Sequence, residues 1–348
     1  MSETKEMKEI SDDYIDLNLL EVEEKIKQEG KYEKDGIMIR KWEGEENSAH
    51  FITQINRENV TFVGVLNENF QRNGYGFNDY KNGDKFFGYY KEDKKNTHGI
   101  YFWEPDRVNG ILKKEVYYGF WKDNKKDNHG CYLWVEEEQG NKDFEKTNFD
   151  TYIGLIDEDK YKRGTYLSKN GDDYYLYYGE FGENGKKNDD NAMFYTSEDR
   201  LIKGKIENDE FKEGYIGIFD SESGELTDFM FCTFGDNCSV SFIKLEKDLD
   251  KNLISKIKEE MITFRNVILE DDYFGNVYSK YNEVKDFIKT HMNSLETLDD
   301  PNKYPEIISL CTGYNKINIY ADIEKKVYNR KVWVWFYLIV FKFYFIYC

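Results

Sequence analysis

The sequence predicts a mainly β fold with an α-helical C-terminal part: an elongated, twisted antiparallel sheet of stacked β-hairpins, followed by two or three helices. Three observations lead to this fold class. Glycines recur with regular partners, residues between them alternate with period two, and the period becomes helical near residue 240. Of the 26 glycines in this 348-residue chain, 23 lie between residues 36 and 235. We therefore expect four segments: 1–35, a repeat domain over 36–235, a helical region over 240–315, and an apolar tail over 332–348.

The N-terminal segment, residues 1–35, is polar and acidic. A short amphipathic helix fits around Leu17–Lys27, and its apolar side would consist of Leu19, Leu20, Val22 and Ile26. A solvated tail fits the same residues, and the sequence leaves both interpretations open.

The segment 36–235 contains a repeated pattern in which an aromatic or apolar residue stands two positions before a glycine. A second glycine follows ten or eleven residues later. The pairs are Gly64 with Gly74, Gly88 with Gly99, Gly119 with Gly130, Gly154 with Gly164, and Gly204 with Gly214. A sixth unit begins at Gly179 and has Asp190 where its second glycine would fall. These eleven glycines define about six repeats.

One unit shows why each repeat is predicted to be a hairpin. In Glu115–Lys122, Tyr117, Gly119 and Trp121 alternate with Tyr118 and Phe120, which is the period of a strand. The polar run 123–128 is turn-forming, and the alternation resumes over 129–135.

A single hairpin cannot bury its aromatic residues, but six stacked hairpins can. A glycine two residues from an aromatic side chain leaves room for a ring to lie flat against the backbone. The charged inserts Pro105–Lys114 and Glu136–Asn148 are expected to form loops on one rim of the sheet.

The C-terminal region reads as helical. Leu245, Leu249, Leu253, Ile257, Met261 and Ile268 lie near i+4 spacing, a second stripe runs from Val277 to Leu295, and a third short run begins at Pro305. The last segment, 332–348, is apolar except for Lys342. As a helix it would span about 25 Å, which is short of the roughly 30 Å hydrocarbon core. A marginal membrane anchor, a buried strand or docked tail, and a non-native terminus all remain open.

The repeated units resemble the MORN (membrane occupation and recognition nexus) repeat, whose pattern is roughly Y-x-G-x-W/F-x-N-G-x-K-x-x-G-x-G-x-Y/F. The best match consists of Tyr117, Gly119, Trp121, Lys126, His129, Gly130 and Tyr132. Further matches begin at Tyr177, Phe86, Tyr152, Phe62 and Ile202, so the resemblance covers about residues 60–235. It implies an elongated sheet of stacked hairpins and a scaffold role at the cytoskeleton, in cilia or at membrane junctions, with a partner's helix often held in the groove.

Charge and cysteine content exclude several classes of function. The formal net charge is −19, which opposes binding to nucleic acid and disfavours an anionic membrane surface. The five cysteines form no C-x-x-C pair, which argues against a zinc ribbon and favours free thiols in a reducing compartment. A reducing compartment fits a cytoplasmic protein, and the resemblance to MORN repeats implies a cytoskeletal assembly, with the cilium or axoneme as the first candidate site.

No catalytic pattern stands out from the sequence. His98 and His129 occupy the same repeat position before a glycine, which favours a structural over a metal-binding or acid–base role. Paired acids such as Asp172-Asp173 fit solvated turns, and the phosphate-binding glycine loops and kinase motifs are missing. The prediction is a protein that is not an enzyme, with no catalytic residues, no cofactor and no metal.

The aromatic residues of the repeats point to partner binding, because a single-layer sheet has little to cover both of its faces. The candidate contact residues are Tyr89, Tyr90, Tyr118, Phe120, Tyr178 and Phe181. We expect a scaffold or adaptor within a larger assembly, whose aromatic groove on the sheet binds a helix of another protein. Coverage of one face by the C-terminal helices is the competing structural interpretation.

The alternative function is a peripheral membrane protein that binds phosphoinositides through lysines at the repeat rim and through the apolar tail. Four lysine pairs recur near the hairpin turns: Lys94-Lys95, Lys113-Lys114, Lys125-Lys126 and Lys186-Lys187. The net charge does not favour this alternative, but a local positive edge would permit it.

Overall fold

The computed structural model describes residues 18–41, 50–56, 58–138, 148–235 and 239–270. Within them the chain is mainly β, with seventeen strands of open antiparallel sheet and two α-helices. The strands are β1 (Lys31–Lys34), β2 (Ile37–Lys41), β3 (Phe51–Asn56), β4 (Val60–Leu66), β5 (Arg72–Tyr80), β6 (Lys85–Lys91), β7 (Lys94–Val108), β8 (Ile111–Lys122), β9 (Lys125–Glu138), β10 (Asn148–Asp157), β11 (Lys160–Asn170), β12 (Asp173–Glu180), β13 (Asp189–Thr196), β14 (Arg200–Glu207), β15 (Glu210–Phe219), β16 (Leu226–Phe234) and β17 (Val240–Leu245). The predicted mainly β class and its antiparallel hairpins are confirmed.

The chain divides into two compact units. Among the described residues, the first unit holds those up to Glu104 together with Trp121–Lys125. The second holds Pro105–Phe120 together with the residues from Lys126 through the second helix. In the first unit, each strand from β1 to β7 pairs antiparallel with the next in the chain. In the second unit, the strands from β9 to β17 do the same.

Helix α1 (Leu19–Glu29) belongs to the first unit and lies against β1 and β2. Its start is capped by the Asn18 side chain, which accepts a hydrogen bond from the Glu21 amide at 3.4 Å, and Gly30 ends it with φ +75°. Val22 and Ile26 are buried as expected, whereas Leu19 and Leu20 are exposed. The apolar side of the helix is therefore narrower than the sequence pattern indicates.

Helix α2 (Lys251–Glu270) belongs to the second unit and packs on β14 and β15. Ile257, Met261 and Ile268 are buried, as the helical period predicts. Leu253, in contrast, is 47% exposed and Ile254 is buried in its place. Leu245, assigned to the helical stripe by its spacing, lies in strand β17 instead, because that strand still pairs with β16.

Four hairpin turns have the same left-handed backbone at both central residues. They are Glu92-Asp93, Asp123-Asn124, Glu158-Asp159 and Asn208-Asp209, with φ between +45° and +73°. This is the backbone of a type I′ turn, whose twist matches that of the flanking strands. Asp and Asn tolerate it because their short polar side chains bond locally.

The prediction of a loop over Pro105–Lys114 is wrong. β7 continues to Val108, β8 begins at Ile111, and Gly110 turns the chain with φ +84°. The charged residues at the end of β7 are exposed on both faces, so the insert lengthens a hairpin without burying charge. Of the second insert, residues 136–138 extend β9, and residues 139–147 lie outside the described residues.

Several predictions fall outside the described residues. They are the helical stripe from Val277 to Leu295, the run from Pro305, and the apolar tail over 332–348. Among the helices that the structure describes, none is long and apolar enough to cross a bilayer.

Candidate functional site

The repeat glycines face each other across neighbouring strands. Gly88 lies opposite Gly99, Gly154 opposite Gly164, and Gly204 opposite Gly214, as their sequence spacing predicts. Gly64 and Gly74, which the sequence spacing groups in one repeat, do not face each other. Gly64 lies opposite Gly76, and Gly74 lies opposite Tyr90 with φ +125°. The register between β4 and β5 shifts between Gly64 and Leu66. Because of this irregularity, the glycine that faces Gly64 is not the one that the repeat spacing groups with it.

The glycine pairs exist because an aromatic ring lies across them. A methyl group on Gly88 or on Gly99 would stand 2.5 Å from Cζ of Phe86, which is two residues before Gly88. Phe62, Tyr117, Tyr152 and Tyr177 lie in the same way against the glycines that follow them. All five rings are buried. The aromatic–x–glycine pattern therefore encodes a flat ring on bare backbone.

In the second unit, the rings that cover the glycines belong to tyrosines, and each hydroxyl donates a hydrogen bond to a backbone carbonyl. The Tyr117 hydroxyl donates to the Phe120 carbonyl at 3.0 Å, Tyr152 to Leu155 at 2.7 Å, and Tyr177 to Glu180 at 2.6 Å. Each bond joins a residue to the carbonyl three positions later. Burial and nearby carboxylates raise the pKa of Tyr117 and Tyr177, so both remain neutral donors.

A second set of rings joins each repeat to the one before it. Tyr90 meets Phe62 edge-on at 5.6 Å, and Trp121 meets Phe86 edge-on at 5.5 Å. Phe181 meets Tyr152 in the same geometry at 5.4 Å. Tyr90 and Phe181 were predicted to bind a partner, but both are buried and contact rings of their own chain. Their predicted exposure is wrong, because they share a face with the glycine-covering rings.

A basic side chain sits over the rings at four equivalent positions. Arg72 lies 4.7 Å from the Tyr90 ring centroid, Lys95 lies 5.3 Å from Phe86, Lys126 lies 4.9 Å from Tyr132, and Lys187 lies 4.9 Å from Tyr166. Burial lowers the pKa of Lys126 and of Lys187, although neighbouring carboxylates oppose the shift. The sequence pattern did not reveal these cation–ring contacts.

The same basic residues are tied to the following hairpin through the backbone. The Arg72 amide donates to Asp93 Oδ1 at 2.9 Å, and the Asp93 amide returns a bond to the Arg72 carbonyl at 3.0 Å. Asn124 makes this pair of bonds with Lys95, Asp159 with Lys126, and Asp209 with Lys187. We call each pair of bonds a turn latch. It uses the second residue of each left-handed turn.

The remaining predicted contact residues differ in their surroundings. Tyr118 is buried, so its predicted exposure is wrong as well, and burial raises its pKa to about 12. Tyr89 is partly exposed and packs edge-on against Tyr75 at 5.4 Å, and Phe120 is partly exposed. Tyr178 is partly exposed, but the Phe264 ring of α2 lies 6.1 Å away. At Tyr178 the chain's own helix provides the contact.

Helix α2 is held on that face by an ion pair as well as by apolar contacts. Arg265 donates to Asp199 through Nε at 2.7 Å and Nη2 at 2.5 Å, and Tyr195 donates to Asp199 at 2.8 Å. Burial acts to raise the pKa of Asp199, but these hydrogen bonds and the guanidinium charge outweigh it and lower the pKa. Beside Lys203 and Glu260, which pair at 2.9 Å, a cavity of about 310 Å³ opens between α2 and the sheet.

The opposite face of the second unit carries a continuous row of apolar residues. The strand registers place Tyr152, Tyr166, Tyr177, Phe194, Ile202, Ile216 and Met230 side by side on seven successive strands. We call these seven residues the apolar row. Tyr152 and Tyr177 are fully buried as glycine-covering rings, and the other five are partly exposed. At about 4.8 Å per strand the row is about 29 Å long.

The lysine pairs at the turns are largely engaged. Lys95, Lys126 and Lys187 lie over rings, Lys94 pairs with Asp123 at 3.4 Å, and Lys113 with Glu136 at 2.7 Å. Lys95, Lys126 and Lys187 are therefore committed to contacts within the repeats, whereas Lys94, Lys113, Lys125 and Lys186 remain exposed.

Neither histidine of the repeats gathers a metal-binding group. His98 is partly buried, and burial lowers its pKa. Across the ranges given above, no cluster of three or more His, Cys, Asp or Glu side chains is placed to hold a metal ion. Cys131 and Cys232 are free buried thiols, and burial raises the pKa of Cys131 to about 11.

No protein-family model matches this chain, and no curated protein matches it. The case for a function therefore depends on the geometry of the two units.

Proposed function

We propose that this protein is a non-enzymatic scaffold or adaptor that binds partner proteins through the apolar row of its second unit. The observation that carries the proposal is a set of five partly exposed apolar side chains on one face: Tyr166 on β11, and Phe194, Ile202, Ile216 and Met230 side by side on β13–β16. Contiguous apolar side chains within a polar rim are typical of protein interaction surfaces.

The dimensions of the row favour an amphipathic helix as the partner segment. The partly exposed members span β11 to β16, about 24 Å at about 4.8 Å per strand, and a helix that rises about 1.5 Å per residue would cover this length with about 16 residues. The chain carries a net charge of −19, which favours a segment with basic residues at its margins.

The family and cellular setting are part of the same proposal. The flat rings on paired glycines support the resemblance to MORN repeats, because that pattern places an aromatic residue two positions before a glycine. By extension from this resemblance, the protein belongs to a cytoskeletal assembly, with the cilium or axoneme as the first place to look. The alternative of phosphoinositide binding loses support, because Lys95, Lys126 and Lys187 are committed to rings within the repeats.

Proximity labelling in the cell that expresses the protein tests the proposal. The full-length chain is compared with Phe194→Asp and Ile216→Asp variants, which place a charge in the row at partly exposed positions. Leu155→Asp is the matched control, because Leu155 is 39% exposed and lies on the opposite face of the same unit. We expect the row variants to lose at least tenfold of the labelling of specific partners, while the control retains it.

A shared partner set for all variants, each verified as folded by circular dichroism, would refute binding through the row. A full-length chain that labels no protein above background would refute the scaffold function itself.

A further inference from the structure

Strand β17 is apolar and yet exposed along its whole length. All six of its side chains are exposed, and those of Val240, Phe242, Ile243 and Leu245 are each about half exposed. In the other strands that the structure describes, large apolar side chains with comparable exposure stand singly, as Leu155 does. A concentration of exposed apolar side chains on one strand indicates a surface that is covered when the protein binds its partner.

The strand register places half of this apolar surface on the face of the apolar row. Ile216 lies opposite Met230, and Met230 lies opposite Leu245, so the row continues onto β17. Ile243 lies opposite the buried Cys232 and therefore shares this face. Ile216 and Met230 are partly exposed, whereas Leu245 is 50% and Ile243 51% exposed. The face is therefore most open at the β17 end.

An exposed carboxylate borders the same end of the row. Asp228 stands two residues before Met230 on β16, so the two side chains lie on one face. Among the residues that the structure describes, Asp228 has no ion pair, whereas Arg200, which lies on the same margin two strands away, pairs with Glu198 at 2.9 Å. This charge favours a basic residue in whatever binds here. It disfavours a second copy of the chain, whose net charge is also −19.

We propose that Met230, Ile243 and Leu245 form the anchor of the partner-binding surface. They receive a large apolar side chain from the partner's amphipathic helix, and Asp228 pairs with a basic residue beside that side chain. This inference rests on the proposed function and names the part of the surface that holds the partner.

The exposed areas explain why the anchor lies at this end. The gain from burying a side chain grows with the apolar area that leaves water, and a few residues usually carry most of the binding energy of an interface. Leu245 and Ile243 have the most apolar area left to bury, whereas Tyr152 and Tyr177 are already covered. With β17 included, the surface from β11 is about 29 Å long, which corresponds to a helix of about 19 residues.

The first test adds two matched variants of the full-length chain to the proximity-labelling experiment. Leu245→Asp places a charge in the anchor. Phe242→Asp is the control, because Phe242 is 55% exposed on the same strand but lies opposite Thr233, on the other face. We expect Leu245→Asp to lose at least tenfold of the labelling of specific partners and Phe242→Asp to retain it.

Two further measurements test the occupant and the charge. With benzoylphenylalanine in place of Leu245, irradiation should cross-link a partner segment that has apolar residues at helical spacing and a basic residue next to them. Asp228→Lys should lower partner labelling at least threefold. Glu222→Lys, the same charge change at an exposed residue in the turn between β15 and β16, should leave the labelling unchanged.

The outcomes separate the anchor from the function on which it rests. If Leu245→Asp is folded by circular dichroism and keeps the labelling that Phe194→Asp loses, the anchor is overturned and the proposed function stands. If Leu245→Asp and Phe194→Asp both keep it, the proposed function fails as well. Loss of labelling in Phe242→Asp would show that the face is not what matters and would overturn the anchor. Cross-links from position 245 to a second copy of the chain, or to residues 332–348 of the chain itself, would also overturn it.

Discussion

The two units build the same ring-on-glycine arrangement from different side chains. The first unit uses phenylalanines, Phe62 and Phe86, each accompanied by a basic residue over its ring. The second unit uses tyrosines, which add a hydrogen bond from the hydroxyl to a backbone carbonyl. A basic residue lies over the ring in the second unit as well, Lys126 over Tyr117 and Lys187 over Tyr177. The bare glycine pair, the flat ring and the cation are therefore shared, and the hydroxyl bond is what differs between the units.

The units also differ in how a helix is attached to the sheet. α1 docks on the first unit through Val22 and Ile26, with the exposed pair of Lys34 and Glu21 at 2.8 Å beside it. α2 docks on the second unit through apolar residues and the buried pair of Arg265 and Asp199. An exposed ion pair contributes little to stability, so acid should weaken the attachment of α1 less than that of α2, which depends on a buried ion pair.

The largest expected effect tests whether the ring is the shared requirement. Phe86→Ala removes a fully buried ring, and we expect it to lower the free energy of unfolding by about 3–5 kcal/mol. Ile202→Ala, in the repeat without a ring, should cost less than about 2 kcal/mol because Ile202 is partly exposed. Urea unfolding of both variants measures the difference, and equal losses would contradict the comparison.

The next effect concerns α2. Asp199→Asn removes the charge that receives Arg265, and we expect a loss of about 1.5–3 kcal/mol from the attachment of the helix. Hydrogen exchange of α2 should accelerate while exchange of α1 stays unchanged. Acceleration in both helices would show that the effect is not local.

The same pair makes α2 sensitive to acid. The folded pKa of Asp199 is lowered, so the carboxylate contributes stability above the unfolded pKa of about 3.9. That contribution is lost as the pH falls further, through the lowered folded pKa. Hydrogen exchange of α2 should therefore increase below about pH 4 in the unmodified chain, and this increase should be smaller in Asp199→Asn. An identical acid response in both chains would contradict this assignment.

A smaller effect tests the glycine pair itself. Gly99→Ala places a methyl group 2.5 Å from two atoms of the Phe86 ring, so the ring must move, at a cost of about 1–3 kcal/mol. Gly214→Ala should cost less because its methyl group is less crowded: the nearest atom, the Lys203 carbonyl oxygen, is 2.9 Å away and the next are beyond 3.0 Å. Thermal unfolding of both variants checks the order, and a larger loss for Gly214→Ala would reverse it.

The smallest expected effect tests the hydrogen bond from the tyrosine hydroxyl to the backbone carbonyl. Tyr152→Phe keeps the ring and removes the hydroxyl that bonds to Leu155, with an expected loss of about 0.5–1.5 kcal/mol. Phe86→Tyr is the reciprocal change in the first unit and should alter stability less than Phe86→Ala does. A Tyr152→Phe chain as unstable as Phe86→Ala would mean that the hydroxyl, not the ring, carries the repeat.

The sequence predicted the hairpins because alternation and glycine spacing are local signals. The assignment of Tyr117 and Tyr118 to opposite faces required nothing beyond period two. Which face is covered is not local, and Tyr90 and Phe181 were misassigned for that reason: their burial depends on rings of the preceding repeat.

The pairing of Gly64 with Gly76 and the position of Lys95 over Phe86 were equally out of reach of the sequence. The first follows from an irregular register, and the second from a side chain that crosses between strands. The apolar row was missed because its members come from seven strands, so no window of sequence contains them together.

The turn latches have a consequence for how such a chain changes over evolutionary time. Their partners are separated by 21, 29, 33 and 22 residues, yet each has the same bonds between a turn and the preceding repeat. The variation in length is taken up at the far ends of the hairpins, as in the extension that turns at Gly110. Within each unit, insertions and deletions there leave the latched turns unchanged, so the far ends of the hairpins can vary in length while the turns keep the strands aligned.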